Sequence, residues 1–281
     1  MISVITVSYK TLDYVERLLA SVQQYVRLED VELFVVINGD GTDPSTLRDR
    51  FPFVKWIVSE KNLGFAGGCN LAGKEAKGEL VLLVNPDVVF ESDAIQAVAD
   101  EMRRDPSVGI GGISLRNMDG TQQACVWRFP RPIDQLLVLS KLPHLLGPIG
   151  PVGKWLMRGF DYGKSSDVDQ VMGAFFCIRR EVIERIGWLD DGFFLWYEEV
   201  DFCRRTVNAG FRVRYYAGIQ AKHSKGSSFD RVSTLQKQAY MRKSLRRYMR
   251  KHFGAAWASV FTLLDPVFVA LAWAASVVKP M

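Results

Sequence analysis

The chain has 281 residues, 48% apolar and 24% charged, a balance that fits a folded protein with a substantial core and excludes a chain dominated by disorder. The formal net charge of +5 is concentrated, because eight Lys or Arg and no acid lie between Arg231 and His252, and this points to a local anionic partner such as lipid or phosphate. The four cysteines (Cys69, Cys125, Cys177, Cys203) form no C-x-x-C pair, which argues against a zinc site or a disulfide framework.

In chain order, Ile2–Ser8 reads as a buried strand, without the basic region that would mark a signal peptide. Tyr14–Tyr25 carries Val15, Leu18, Leu19 and Val22 at helical spacing. Val31–Ile37 and Phe53–Val58 read as strands and Phe65–Lys77 as a helix. Leu80–Val84 is apolar at every position, as in a strand buried on both faces. Ser92 predicts the N-cap of a helix running to Arg103. Strands alternating with helices predict an α/β fold, with a mainly parallel sheet and helices on both faces. In such sheets a ligand binds beyond the carboxyl ends of the strands. That edge would collect Ser8, Tyr9 and Lys10, then Asn38, Asp40 and Asp43, then Asn85 and Asp87.

The second half is less regular. Ile113–Arg131 reads as strand and turn, Leu136–Lys164 as a Gly/Pro-rich loop or flap, and Val171–Arg179 as a strand. Glu199–Ala209 predicts a helix, Phe211–Tyr216 a strand and Leu235–Phe253 a long basic helix. Ala255–Val278 is long enough to cross a bilayer, but Asp265 and Pro266 interrupt its middle.

Several groups are candidates for chemistry. Asp87, at a strand's carboxyl end, suits a hard cation such as Mg²⁺ or Mn²⁺, with Asn85 adding an amide oxygen. Asn85-Pro86-Asp87 is equally good turn chemistry. In K-N-L-G-F-A-G-G-C-N, glycines precede a helix whose first amides could meet phosphate or ribose oxygens; a tight strand-to-helix turn explains the same residues. Glu198, Glu199 and Asp201 follow the apolar run Phe193–Tyr197. A carboxylate beside apolar walls can act as general base, whereas acids in a first helical turn also answer the helix dipole. His223 opens a Gly/Ser-rich loop and could approach Asp87 from across the crevice. In the Arg231–Phe253 helix, Met241, Leu245, Tyr248 and Met249 form an apolar stripe flanked by basic ladders. With Trp257, Phe261, Phe268 and Trp273 beyond it, this suits an anionic membrane surface. No nucleic-acid-binding motif is present.

Taken in order, V-S-Y-K, N-G-D-G-T-D, N-L-G-F-A-G-G-C-N, N-P-D, D-G-T-Q-Q-A-C-V-W-R-F-P, the stretch Val171–Arg205 and H-S-K-G-S-S resemble the family 2 glycosyltransferases, in the rhamnosyltransferase-like subgroup of surface-polysaccharide assembly. The resemblance runs from Ile2 to about Gly254 and implies a GT-A fold, a nucleotide-sugar donor, Mg²⁺ or Mn²⁺, and inversion at the anomeric carbon. By motif position it implies Asp87 and His223 at the metal, Glu199 as base and Asp201 as the last acid of the catalytic motif. Asn62, Gly64, Phe65 and Asn70 would line the nucleotide pocket, with Trp196 and Tyr197 against the acceptor. Asn85 replaces the first acid of D-x-D. Ile37 stands where many relatives carry a base-reading Asp, and the neighbouring acids are Asp40 and Asp43. The implied donor is dTDP-rhamnose, with UDP- and GDP-sugars as alternatives, and the implied acceptor is a saccharide or a polyprenyl-diphosphate-linked saccharide. The expected divisions are 1–115 for the donor, 116–230 for acceptor and catalysis, and 231–281 for association with the inner face of the cell membrane or with a second copy. A sugar nucleotidyltransferase would need a Gly-rich, Arg-containing loop after the first strand, which V-S-Y-K-T-L-D-Y lacks. A non-catalytic membrane-binding protein would need only the basic helix.

Overall fold

Leu80–Val84 lies inside the main sheet with all five side chains buried, each contributing about 1.5–3 kcal/mol of apolar burial. The computed structural model describes residues 1–142, 150–224 and 234–278. Its elements are β1 (Ile2–Ser8), α1 (Leu12–Tyr25), β2 (Val31–Asn38), α2 (Ser45–Arg50), β3 (Val54–Ser59), α3 (Gly64–Gly73), β4 (Leu80–Val84), β5 (Val88–Val89), α4 (Ala94–Arg104), β6 (Val108–Arg116), β7 (Val126–Trp127) and α5 (Pro132–Leu139). There follow α6 (Gly150–Trp155), β8 (Ser166–Asp167), β9 (Gln170–Val171), β10 (Phe175–Arg179), α7 (Arg180–Ile186), α8 (Glu198–Asn208), β11 (Arg212–His223), α9 (Thr234–Phe253), α10 (Ala255–Leu263) and α11 (Asp265–Val278).

The sheet runs β3-β2-β1-β4-β10-β6-β11-β5, with β8 beside β11. Strands β3, β2, β1 and β4 are parallel, and β10 runs against both β4 and β6. Strand order reverses between β1 and β4, the place where such a sheet opens a crevice at its carboxyl edge. The register pairs Ser8 with Ile37 and Ile5 with Leu83, so Ser8, Asn38 and Asn85 reach that edge together.

Several expectations need correction. The helix after Phe90 is capped by Asp93, not Ser92; the Asp93 carboxylate accepts from the Gln96 amide at 3.0 Å. Strand β6 begins at Val108, ahead of the expected Ile113. Gly109, Gly111 and Gly112 interrupt its apolar pattern because Phe211, Met102 and Val171 occupy the space a Cβ would need. The expected flap is partly helical, as α5 and α6, with Pro132 at the start of α5 where its missing N–H costs nothing. The expected strand Val171–Arg179 is split into β9 and β10. Strand β11 continues past Tyr216 through an irregular register to His223.

The basic helix departs furthest from expectation. Leu245, Tyr248 and Met249 of its apolar stripe are buried against Phe193, Val200, Phe261 and Phe268; they pack inside the protein and do not face a membrane. Much of its charge is used internally. Arg242 and Arg246 reach Asp265 at 2.9 and 2.6 Å, and Arg247 and Lys251 reach Asp190 at 2.6 and 2.9 Å. Among the described residues no single helix is long and apolar enough to cross a membrane; α10 and the start of α11 form a pair bent by 44°.

One carboxylate joins α8 to α9. Asp201 is 0% exposed and accepts from Arg205 Nε at 2.8 Å, Lys251 Nζ at 2.9 Å and His252 Nε2 at 2.7 Å. Burial alone would raise its carboxyl; the hydrogen bonds from His252, Lys251 and Arg205 more than reverse that and hold it below the usual value. Asp201→Ala should cost about 3–5 kcal/mol, because it leaves the largely buried Arg205 without its carboxylate, whereas Lys251 keeps Asp190. Urea unfolding at neutral pH measures this, and a loss below about 1 kcal/mol would show the network to be no more than a surface-type pair. The carboxyl is held low when folded, so its contribution is complete above the unfolded aspartate value of about 3.9. The cost of the substitution should therefore shrink as pH falls below that value.

Candidate active site

Asn85-Pro86-Asp87 closes a turn in which the Val88 amide donates to Asn85 O at 3.2 Å, with proline at the position that favours its fixed φ. The turn is stitched to the end of β11 by Ser224 N donating to Asp87 O at 3.0 Å and by the pairing of His223 with Val88. His223 Nε2 consequently lies 3.3 Å from Asp87 Oδ1, with the two residues 5% and 4% exposed. Gln123 orients the ring. Its Nε2 donates to Asn117 Oδ1 at 2.9 Å, which turns its Oε1 toward His223 Nδ1 at 2.7 Å. Nδ1 therefore carries a proton, and in the neutral ring the Nε2 lone pair faces the Asp87 carboxylate. A lone pair beside a carboxylate, braced from behind by a hydrogen bond to the other ring nitrogen, is a donor set for a cation. Among the described residues no third His, Cys, Asp or Glu completes a cluster. Two protein ligands fit Mg²⁺ or Mn²⁺ shared with substrate phosphates. The rest of the H-S-K-G-S-S motif beyond Ser224 lies outside the described residues.

The loops on the other side of the crevice are tied mostly to one another. Asn38 is buried; its Nδ2 donates to Gly64 O at 3.0 Å and Asn62 Oδ1 at 3.2 Å, and its Oδ1 accepts from Leu63 N at 2.9 Å. Gly64 N donates to Asn62 Oδ1 at 2.9 Å and Phe65 N to Phe194 O at 3.0 Å. Three successive amides at the start of α3 thus have protein partners, so the glycine motif is no open phosphate cradle. Gly64 sits at φ +73°, and a Cβ there would strike the Phe194 carbonyl. Asn70 Nδ2 donates to Leu189 O at 2.8 Å, so Asn70 braces the segment that leads to Phe193–Tyr197. Ser8 is buried with its Oγ 3.1 Å from Thr11 Oγ1. Asp40 accepts from the Lys10 and Thr42 amides and joins the first two strand ends, whereas exposed Asp43 serves the Ser45 turn. Half-buried Tyr9, its ring 5.4 Å from the Lys10 ammonium, stays at the β1 end.

The three acids of the Glu-Glu-Val-Asp stretch have different fates. Trp196 and Tyr197 both adopt left-handed backbone, at φ +63° and +70°, and Tyr197 caps α8. Two consecutive non-glycine residues in that region mark stored strain of the kind found at functional sites. Glu198 is 5% exposed and Glu199 partly exposed, and the Oε2 atom of each is buried without a hydrogen-bond partner. Burial first, and then the Glu199 charge, pushes the Glu198 carboxyl well above the glutamate range; burial also raises Glu199. Asp201 has the opposite environment and is a positioning residue inside the protein. Tyr197 is likewise committed to packing, its ring 5.4 Å from Tyr248 and its hydroxyl donating to Gln135 Oε1 at 3.0 Å.

The two halves meet at the break between β9 and β10. Asn85 N donates to Ala174 O at 3.0 Å, and a Cβ on the preceding Gly173 would stand 3.6 Å from Glu199 Cβ and Cγ. The Asn85 turn and Glu199 therefore approach the same short segment, Gly173–Ala174, from different elements. Gln123 and Gly173 were not singled out as site residues from sequence. Both lie inside recognisable motifs, but their partners are about 100 and 26 positions away, beyond the reach of spacing arguments.

Glu198→Gln removes a carboxyl whose ionisation the fold disfavours. A raised folded value means stability falls as pH rises past the unfolded glutamate range. The variant should therefore melt higher than the parent at pH 7, by about 2–4 °C per kcal/mol relieved, and lose that advantage in acid. An unchanged or lower melting temperature at pH 7 would show that ionised Glu198 is stabilised in the fold.

The family described as Glycosyl transferase family 2 matches residues 3–187. N-acetylglucosaminyl-diphospho-decaprenol L-rhamnosyltransferase of Mycobacterium tuberculosis (strain ATCC 25618 / H37Rv) is 26% identical over 247 residues, covering 82% of this chain and 78% of that protein. Rhamnosyltransferase WbbL of Escherichia coli (strain K12) is 22% identical over 244 residues, covering 79% of this chain and 83% of that protein. In fold, the chain is similar to mannosyltransferase PcManGT from Pyrobaculum calidifontis, solved in complex with GDP-Man and Mn²⁺, with a TM-score of 0.60 at 17% identity over 100% of this chain and 76% of the other. The architecture is the GT-A arrangement, and the chain belongs to glycosyl transferase family 2, in its rhamnosyltransferase-like group.

Proposed function

We propose that this glycosyltransferase moves rhamnose from dTDP-rhamnose to a hydroxyl of a saccharide or lipid-linked saccharide, with inversion. The observation that supports the reading is that the Asn85–Asp87 turn, which carries the Asp87–His223 pair, and Glu199 both approach the Gly173–Ala174 segment. The named activities of the rhamnosyltransferase relatives support the choice of sugar. Residues 1–115 hold the donor and 116–230 the acceptor. Asp87 and His223 hold Mg²⁺ or Mn²⁺, which when bound neutralises charge on the leaving diphosphate. Glu199 takes the proton of the attacking hydroxyl. Its poorly solvated carboxyl is a stronger base than an exposed glutamate, and as the less buried of the pair it is the one a substrate can reach. Glu198, deeper, has its carboxyl raised by burial and by the Glu199 charge, so it ionises less readily than an exposed glutamate. The apolar side chains exposed on α10 and α11 support a peripheral position at the cytoplasmic membrane face.

Calorimetric titration with dTDP, UDP and GDP, each with and without Mn²⁺, tests the donor. Metal-dependent binding of dTDP is expected, and Asp87→Ala or His223→Ala should weaken it by at least about tenfold. Equal binding with and without metal would remove the pair from the donor site. Glu199→Gln should lower kcat by about 10²–10⁴-fold while leaving dTDP affinity unchanged. In the parent enzyme kcat/KM should rise with pH as Glu199 ionises, with a midpoint above the ordinary glutamate value of about 4.3. Near-parental turnover by the Gln variant would assign the base elsewhere.

A further inference from the structure

Beside the catalytic helix lies a cavity of about 540 Å³, lined among others by Arg128, Arg131, Asp169, Arg204, Phe253 and Trp257. A second, of about 250 Å³, shares Arg128 and Arg131 and adds Lys154 and Trp155. The combined walls hold four cations against two carboxylates, Asp169 and Asp134. Both carboxylates are engaged by backbone, accepting from Phe129 N at 2.8 Å and Arg131 N at 3.1 Å. Among the described residues, no carboxylate comes within ion-pair distance of Arg128, Arg131 or Arg204. The Arg204 guanidinium stands over the Phe253 ring at 4.6 Å and donates to Tyr248 Oη at 3.1 Å, both neutral partners. Its charge is thus positioned but not neutralised. Arginine forks gathered this way suit the oxygens of a phosphate or diphosphate.

The cavity is built from the same parts as the reaction centre. Arg204 follows Glu199 by five residues on α8, about 7.5 Å along the axis and about 140° around it, so the two line different faces of the same helix. The Tyr197–Gln135 hydrogen bond fastens α5, which contributes Pro132 and Ile133 to the cavity, to the cap of that helix. Trp257 belongs to α10, and beyond it α10 and α11 expose Leu263 (79%), Val267 (52%) and Trp273 (62%). A cationic cavity leading to an exposed apolar helix pair matches an amphiphile with an anionic head.

We propose that this cavity binds the diphosphate of a lipid-linked acceptor, its hydrocarbon chain lying over α10 and α11 and its sugar reaching toward Glu199. The word acceptor rests on the glycosyltransfer reading of the neighbouring carboxylates; the binding site rests on the cavity itself. The test titrates the full chain with farnesyl diphosphate, inorganic pyrophosphate and farnesol, followed by tryptophan fluorescence. Farnesyl diphosphate should bind at least about tenfold tighter than either fragment, because charge-assisted contacts and apolar burial act together. The exposed pair Arg128→Ala/Arg131→Ala should weaken it about tenfold or more while leaving Mn²⁺-dependent dTDP binding unchanged. Trp257→Ala should weaken farnesyl diphosphate and leave pyrophosphate alone. Equal affinity for pyrophosphate, equal affinity for farnesol, displacement by excess dTDP, or an unaffected double variant would each overturn the proposal. Failure of dTDP binding with farnesyl diphosphate binding retained would instead sink the donor assignment and leave this site standing.

Discussion

The buried Asp201 carboxylate is the constraint on which the arrangement of α8 and its surroundings depends. It clips α8 to the segment before it through Arg205, whose other nitrogens donate to Ile186 O and Trp188 O at 2.8 and 3.0 Å. It clips α8 to α9 through Lys251 and His252. Trp188 in turn fills the space beside Gly73 of α3. An unbroken chain of contacts thus joins α3, α8 and α9. A buried charge tolerates little displacement, because each lost partner leaves an uncompensated ion. The network therefore holds the strained turn ahead of Glu198 in place.

The aromatic approach to the carboxylates has its explanation in α9. Phe193 is buried beneath Arg247, Phe194 lies 4.8 Å from Tyr240, Leu195 O accepts from Ser244 Oγ at 2.8 Å, and Tyr197 meets Tyr248. A helix that reads in isolation as a membrane-binding amphipath is, in the protein, a clamp along Phe193–Tyr197. Burial raises the Glu198 and Glu199 carboxyls, while the ion pairs from α9 and Arg205 lower Asp201. Acids within four residues of each other acquire opposite electrostatics from what packs against each one.

The two motifs at the carboxyl edge of the sheet fared differently for a physical reason. Asn85-Pro86-Asp87 is legible because a buried strand ending in a proline turn is a local signal, and the turn does carry its acid to the sheet edge. His223 was legible only as a candidate; the brace that orients it, Gln123, comes from a distant loop. The glycine motif misleads because its spacing is read as room for a ligand, whereas Asn38, Asn62 and Phe194 O occupy its amides. Neither local spacing nor propensity reports which distant atom fills a gap.

By itself the sequence determined the alternating elements of the first half, since apolar periodicity and turn residues are local properties. It also determined the family, through the order of its motifs, and the presence of an acid at the end of β4. Only the tertiary structure decided that Asp201 is buried in an ion-pair network while Glu199 lies beside Gly173, that the basic helix packs inward, and that arginines from separate loops and a helix line one cavity. Those outcomes depend on burial and on pairing between residues far apart in the chain, which arise only when β9, α8 and α9 close around the same segment.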